Sequence, residues 1–66
     1  MKRRELLNTL DQVAKAAGTT IDFVREGGGH SVYRIKGANI IIPRHREITE
    51  RTAKSIIKQA EQEARK

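Results

Sequence analysis

One of the two histidines in the sequence has neighbours suited to proton transfer at a phosphate group. His30 directly follows three consecutive glycines, Gly27, Gly28 and Gly29. Glycines leave space and free backbone N–H groups, so a phosphate can come close to such a turn. Histidine is the side chain that exchanges a proton most readily near neutral pH. The pattern indicates a place where a phosphodiester is held and where His30 moves a proton.

Basic residues flank this segment and extend the candidate site. The guanidinium fork of arginine matches phosphate oxygens, and lysine supplies a compact positive charge. The candidate phosphate-binding residues are Arg25, Gly28, Gly29, Arg34, Lys36, Arg44 and Arg46. A plain hairpin turn with a solvated His30 explains the same residues, and the local pattern by itself favours that simpler interpretation.

The second histidine, His45, lies between Arg44 and Arg46 and follows Pro43 by two positions. It has two interpretations. It is either a second acid, base or phosphate contact, or a loop residue that hydrogen-bonds the backbone and fixes the corner between a strand and a helix. We favour the second interpretation for His45 and regard the flanking arginines as the better phosphate ligands.

The sequence gives no support to several other kinds of catalytic site. The chain has no cysteine, which excludes disulfides, thiolate nucleophiles and cysteine-ligated zinc. The histidines and carboxylates show no metal-ligand spacing, and no Walker motif is present. Ser31 adjoins His30, but neighbouring residues of a strand point to opposite faces, so the two do not form a nucleophile–base pair. We therefore expect neither a metal nor a cofactor.

Length and charge limit the function further. With 66 residues the chain is one small domain, and 14 Lys and Arg against 8 Asp and Glu give a net charge of +6. Such a surplus indicates an anionic partner. One Tyr and one Phe are too few for a sheet surface that stacks RNA bases. The longest apolar run, Ile40–Ile42, is far shorter than the ~20 residues that span a membrane, so we expect a cytoplasmic protein without membrane contact.

Apolar spacing predicts the elements that position these residues. Gly18 ends the first helix, Pro43 ends the third strand, and Thr49 is the N-cap of the second helix. The charged tail, residues 61–66, is expected to fray. The predicted elements are a helix over 2–17, strands over 21–26, 30–35 and 38–42, and a helix from 50 onward.

The order of these elements predicts an α+β fold in which residues 1–66 form a single domain. Neither helix can bury its apolar stripe alone, so we expect both helices on one face of a three-stranded antiparallel sheet. Alternation along the second strand puts Tyr33 and Ile35 on one face and His30 and Arg34 on the other. If the first pair faces the helices, His30 and Arg34 lie on the uncovered face.

Four segments resemble, in the same order, parts of the HicA family, the small toxins of bacterial toxin–antitoxin pairs. The segments are 2–7 (KRRELL), 27–34 (GGGHSVYR), 42–45 (IPRH) and 52–60 (TAKSIIKQA). No single segment is specific, but the series spans most of the chain, from residue 2 to residue 60. Gly28 stands where the family often has serine.

The resemblance implies a fold, an activity and a partner. The implied fold is an α-β-β-β-α arrangement similar to that of double-stranded-RNA-binding domains. The implied activity is cleavage of mRNA without a metal, carried by a single histidine that matches His30. The implied partner is a HicB antitoxin that binds and blocks the toxin, and contact with DNA is expected only through that antitoxin.

For such a reaction we expect His30 to act as general base on the ribose 2′-hydroxyl. The group that protonates the leaving 5′-oxygen stays open between His45, Tyr33 and water. Two other functions also stay open: a non-catalytic basic RNA-binding module, and a basic adaptor for an acidic protein. We interpret the basic residues of the second helix as solvated surface; they are Arg51, Lys54, Lys58 and Arg65.

Overall fold

The computed structural model describes all 66 residues and contains two helices and three strands. The predicted order of elements is confirmed. Pro43 belongs to the third strand, where it pairs with His30; at the end of an edge strand its missing N–H costs no ladder bond. The elements are α1 (Arg3–Ala16), β1 (Ile21–Glu26), β2 (His30–Ile35), β3 (Ala38–Pro43) and α2 (Glu50–Ala64).

The three strands form one antiparallel sheet in the order β1-β2-β3. Both helices pack on the same face of this sheet, as predicted, and the layout is that of a double-stranded-RNA-binding-like α+β fold. Ile35 of β2 and Ile40 and Ile42 of β3 meet the apolar stripes of the helices in one core. The other face of the sheet carries no helix, and Ile41 of β3 is exposed on it.

Local signals in the sequence account for the ends of the elements. Gly18 has φ +76, and the N–H groups of Gly18 and Thr19 donate to the carbonyls of Lys15 and Ala14, which is a Schellman C-cap. The side chain of Thr49 accepts a bond from the N–H of Thr52 at the start of α2. Neither helix is long and apolar enough to cross a membrane.

The first residues of the chain are fastened to the loop between β3 and α2. Met1 and Ile48 exchange backbone hydrogen bonds, since the terminal amino group donates to the Ile48 carbonyl (2.9 Å) and the Ile48 N–H donates to the Met1 carbonyl (2.8 Å). The N–H of Arg3 donates to the carbonyl of Arg46 (2.9 Å). This pairing places the first turn of α1 beside the loop that carries Arg44.

The expectation that the tail frays is wrong for most of its length. Helix α2 continues to Ala64, whose side chain is only 2 % exposed and belongs to the core. Residues 61–66 contain one apolar position among five polar ones, so composition alone suggests solvent. The turn of α2 that carries Ala64 nevertheless covers the end of α1, and burial of this one residue keeps the helix ordered.

Replacement of Ala64 by aspartate is expected to destabilise the fold. The variant buries a carboxylate without a partner, which belongs to the class of changes that cost several kcal/mol, here about 2–4 kcal/mol. Thermal unfolding followed by circular dichroism should show a midpoint lower by at least about 10 °C. Gln62→Asp is the matched control, because Gln62 lies on the same turn but is exposed. Equal midpoints for the two variants would show that the tail does not pack.

Candidate functional site

The candidate site lies at one end of the sheet, where the loop Gly27–Gly29 joins β1 to β2; we call this the glycine-loop end. The loop closes through a bond from the N–H of Gly27 to the carbonyl of His30 (2.7 Å). It is also tied to the segment after β3, because the N–H of Arg44 donates to the carbonyl of Gly29 (3.2 Å). The ends of all three strands therefore meet at His30.

The imidazole of His30 lies directly over Gly27. A Cβ atom built on Gly27 would be 2.7 Å from Nε2 of His30 and 3.0 Å from its Cδ2, so only glycine leaves room for the ring in this position. The side chain is half-buried, and neither ring nitrogen hydrogen-bonds to the protein. Both nitrogens are therefore free to exchange a proton with a ligand.

Gly28 and Gly29 have a different role from Gly27. Neither has an atom within 4 Å of the position a Cβ would take, and neither has a positive φ. Their backbone is thus bare and open to solvent on the side where side chains would project. A phosphate group can therefore approach the loop at these two residues without displacing any protein atom.

Arg25 reaches the face of His30 because of an irregularity in β1. The pairing of β1 with β2 shifts between Phe23 and Arg25, so Phe23 lies opposite Tyr33 while Arg25 lies opposite Val32. Without this bulge, Phe23 and Arg25 would share a face. With it, Arg25 lies on the uncovered face diagonal to His30, at the ~7–8 Å Cα spacing that a long side chain can bridge.

Two of the predicted phosphate-binding residues lie away from His30. Arg34 shares its face but is four residues along β2, about 13 Å away at the usual rise per residue, and its Nε donates to Oδ1 of Asn39 (3.2 Å). Lys36 lies in the turn at the opposite end of the sheet, about 20 Å away, and its Nζ donates to the carbonyl of Lys66 (3.0 Å). Lys36 is too far away to contact the same phosphate as His30, and Nε of Arg34 is engaged by Asn39; proximity in sequence was misleading because a strand is extended.

Tyr33 lies on the opposite face of the sheet from His30. Its ring packs edge-on against Phe23, with centroids 5.5 Å apart and planes at 72°, and it contacts the core. The sheet separates its hydroxyl from the uncovered face. Tyr33 is therefore not available as an acid at His30, because residues an odd number of positions apart on a strand point to opposite faces.

His45 is exposed in the loop between β3 and α2. The prediction that it hydrogen-bonds the backbone and fixes this corner is wrong, since its side chain makes no hydrogen bond. The corner is held by Arg3 instead, whose Nε donates to the carbonyl of Pro43 (3.1 Å). His45 lines a small cavity of about 110 Å³ with Thr49 and Thr52, and its ring is free to meet a ligand.

A hydrogen-bonded network that the sequence did not reveal supports the site from the helix face. Nη2 of Arg3 donates to Oγ of Ser31 (2.8 Å), and Oγ of Ser31 lies 3.0 and 3.1 Å from the two carboxylate oxygens of Glu26. Glu26 also pairs with Nε of Arg44 (3.2 Å). Ser31 is 0 % exposed, and the network satisfies its hydroxyl, as a buried polar group requires.

One signal for this network was present in the sequence. Alternation places Ser31 on the same face as Tyr33 and Ile35, and a serine on a buried face needs a hydrogen-bonding partner. The identity of the partners could not be inferred, because Arg3 lies 28 positions from Ser31 in the sequence. The network joins α1, β1, β2 and the residue after β3, and so holds the glycine-loop end together.

A concave, positively charged surface adjoins this network. It encloses about 660 Å³ between the first turn of α1 and the segment after β3, and five of its six lining residues are basic. Two residues that the sequence predicts to bind phosphate, Arg44 and Arg46, line it together with three basic residues of the N-terminus. We call this surface the basic groove; its lining residues are Lys2, Arg3, Arg4, Leu7, Arg44 and Arg46.

The arrangement suits acid–base chemistry at a phosphodiester. It offers a free imidazole, a bare glycine backbone and arginines beside them. No group of three His, Asp or Glu side chains lies close enough to hold a metal ion. The resemblance to the HicA family stays a prediction from the sequence, since no family model, no curated protein and no solved structure matches this chain.

Proposed function

We propose that this protein is the toxin of a HicA/HicB-type toxin–antitoxin pair and an endoribonuclease that cleaves mRNA without a metal. The observation that carries the proposal is the imidazole of His30, which lies over Gly27 with both nitrogens unbonded, beside the exposed backbone of Gly28 and Gly29. The resemblance of four segments in the same order supports the family assignment. The net charge of +6 suits an RNA substrate.

In this mechanism RNA supplies its own nucleophile. His30 takes the proton of a ribose 2′-hydroxyl, and the 2′-oxygen forms a bond to the adjacent phosphorus. The bond from phosphorus to the 5′-oxygen then breaks, and that oxygen receives a proton. The products are a 2′,3′-cyclic phosphate on one fragment and a 5′-hydroxyl on the other.

Proton transfer by one residue contributes about 10²–10⁴-fold to a rate, so charge stabilisation must add to it. The phosphorane formed during the reaction carries extra negative charge on its oxygens. Arg25, on the same face as His30, and the exposed N–H groups of the glycine loop can stabilise that charge. Arg44 is the third candidate, because its N–H is bonded to Gly29 and its guanidinium retains free donors beyond Nε.

The proton for the leaving 5′-oxygen comes from His45 or from water. Tyr33 is excluded by its place on the other face of the sheet. His45 follows the β3 partner of His30, Pro43, by two residues and has an unbonded ring. An exposed imidazole that carries a proton can donate it to a departing alkoxide.

The proposed partner is a HicB-like antitoxin in the cytoplasm. A basic surface attracts an acidic one, so association with an acidic face of the antitoxin should be fast and should slow as salt is raised. An antitoxin that covers His30 and the glycine loop would block substrate access without any change in the fold of the toxin.

The test of this proposal is cleavage of a labelled single-stranded RNA by the purified full chain. Cleavage should persist in excess EDTA and should yield cyclic-phosphate and 5′-hydroxyl ends. A substrate with a single 2′-deoxyribose at the mapped cleavage step should resist, while the same deoxyribose placed elsewhere should be tolerated. Equal cleavage of the two deoxy substrates would contradict the role of the 2′-hydroxyl.

A second function, that of a non-catalytic RNA-binding module, is favoured by one observation, the basic groove. A binding module requires its charges but not His30. His30→Ala would then leave its effect on cells intact, whereas loss of charge at Arg44 and Arg46 would remove it. The two functions thus predict opposite outcomes for His30→Ala, whereas both predict a loss when the charges of Arg44 and Arg46 are removed.

A further inference from the structure

The basic groove has far more positive charge than its own contacts neutralise. Arg44 forms a salt bridge with Glu26. The other four basic residues of the groove have no carboxylate within 4.0 Å; they are Lys2, Arg3, Arg4 and Arg46. Arg3 bonds only to neutral acceptors, the carbonyl of Pro43 and the hydroxyl of Ser31. Five cations that share one carboxylate repel one another unless a further anion enters.

The groove is built by tertiary contacts and does not depend on one flexible segment. The pairing of Met1 with Ile48 and the bond from Arg3 to Arg46 hold its two walls together. Because Arg3 is fixed at both Nε and Nη2, one of the five cations is held in place before any ligand binds. Such preorganisation lowers the entropy cost of binding.

The groove and the candidate catalytic residue are joined through Arg44. Arg44 lines the groove, its N–H donates to the carbonyl of Gly29, and His30 is the next residue after Gly29. Arg3, which lines the opposite wall, donates to Ser31, the residue after His30, whose side chain lies on the helix face of the sheet. The groove thus reaches the end of the sheet at the glycine loop, and a strand that leaves the groove there must pass round this end to meet the His30 imidazole on the uncovered face.

We infer that the basic groove binds the sugar–phosphate backbone of single-stranded RNA next to the phosphodiester whose 2′-hydroxyl His30 deprotonates, with Lys2, Arg3, Arg4 and Arg46 as phosphate ligands. This inference rests on the proposed function for the identity of the ligand. A single strand fits better than a duplex because the groove is a concavity between two segments at one end of the sheet. Because these contacts are made to phosphates, binding in the groove is expected not to depend on the RNA sequence.

The inference is tested by binding of a strand that cannot be cleaved. The probe is a fluorescein-labelled 2′-O-methyl oligoribonucleotide of about ten nucleotides, titrated by anisotropy from about 50 to about 200 mM KCl. Arg4→Gln combined with Arg46→Gln removes two groove charges whose side chains make no hydrogen bond or ion pair, so the fold is retained. The control, Arg51→Gln combined with Lys58→Gln, removes the same charge from exposed positions on the solvent side of α2.

We expect the groove variant to bind about 25-fold more weakly at about 0.1 M salt, and the slope of log affinity against log salt to fall by about 1.4, since each phosphate contact on a single strand contributes about 0.7. The control should bind within about threefold of the wild type, as long-range attraction between exposed charges is screened. Equal losses in the two variants, or none in the groove variant, would overturn the inference. So would tighter binding of a matching RNA duplex that depends on the same two arginines.

This experiment separates the two proposals, because the probe lacks a free 2′-hydroxyl and its binding does not depend on catalysis. If binding depends on Arg4 and Arg46 but ordinary RNA is not cleaved, the nuclease activity is contradicted and the role of the groove in RNA binding is supported. If ordinary RNA is cleaved but replacement of Arg4 and Arg46 does not change binding, the role of the groove is contradicted and the nuclease activity is supported.

Discussion

Replacement of His30 by alanine is expected to lower the rate of RNA cleavage by about 10²–10⁴-fold and to abolish growth arrest when the protein is expressed without its antitoxin. The imidazole of His30 lies over the glycine loop, makes no hydrogen bond to the protein and is a side chain that can accept a proton. The variant loses this proton acceptor but keeps the cationic side chains around it. Cleavage of a labelled RNA under single-turnover conditions measures the effect directly.

The structure indicates that His30→Ala will slow the chemical step and leave the stability of the fold and the affinity for RNA unchanged. His30 is only half-buried and its ring makes no hydrogen bond, so the thermal midpoint should change little. Binding of the uncleavable 2′-O-methyl strand should also persist, because the basic groove does not include His30. Unchanged cleavage by His30→Ala would remove this residue from the mechanism.

His45→Ala is the informative companion to that variant, because it removes the other imidazole of the chain. If water protonates the leaving 5′-oxygen, His45→Ala should cleave at close to the wild-type rate. If His45 is the acid, the loss should be comparable with that of His30→Ala and should shrink for a substrate whose leaving group needs no proton. Either outcome assigns the acid that the sequence left open.

Gly27→Ala is expected to produce the second large effect, a loss of about 10²-fold in cleavage without loss of stability. The new methyl group would lie 2.7 Å from Nε2 of His30, so the ring must move, and a displacement of about 1 Å at a catalytic group costs about 10²-fold. The backbone at Gly27 does not have a positive φ. Alanine is therefore compatible with it and should add up to about 1 kcal/mol of stability through the unfolded chain.

The prediction for Gly27→Ala is specific because the cleavage rate and the thermal stability are expected to change in opposite directions. Cleavage should fall while the thermal midpoint holds or rises, and the NMR signals of the His30 ring should shift. Gly28→Ala is the matched control for the ring, because its methyl group meets no atom within 4 Å and should leave those signals in place. A Gly27→Ala protein with wild-type cleavage and unshifted ring signals would show that Gly27 does not set the position of His30.

The sequence was sufficient to predict the element order, the sheet and the placement of His30 on the opposite face of β2 from Tyr33 and Ile35. These properties follow from periods of 3.6 and 2 in the positions of apolar residues, which are local to each segment. Ile35, Ile40 and Ile42 are core residues because strand alternation places them on the face of the sheet that the helices cover. Thr49 and Gly18 set helix ends through contacts within a few residues of themselves.

The candidate site could be predicted only in part. His30, Gly28 and Gly29 form one surface, as the local sequence indicated. Arg25 joins them because of a bulge at Val24 that period-2 alternation does not foresee. Lys36 does not join them, although it is only six residues from His30, because β2 is extended and carries it to the other end of the sheet.

Tertiary structure alone decided the remaining features. Arg3 and Arg46 are brought together across more than half of the chain by backbone pairing of the N-terminus with the loop before α2. The same packing buries Ser31 among Arg3 and Glu26 and orders the last turn of α2 around Ala64. Contacts of this kind depend on how whole elements dock, and the free energy that selects the docking is shared among many residues. Local sequence patterns therefore identified the candidate base, while docking of α1 against the loop after β3 created the groove beside it.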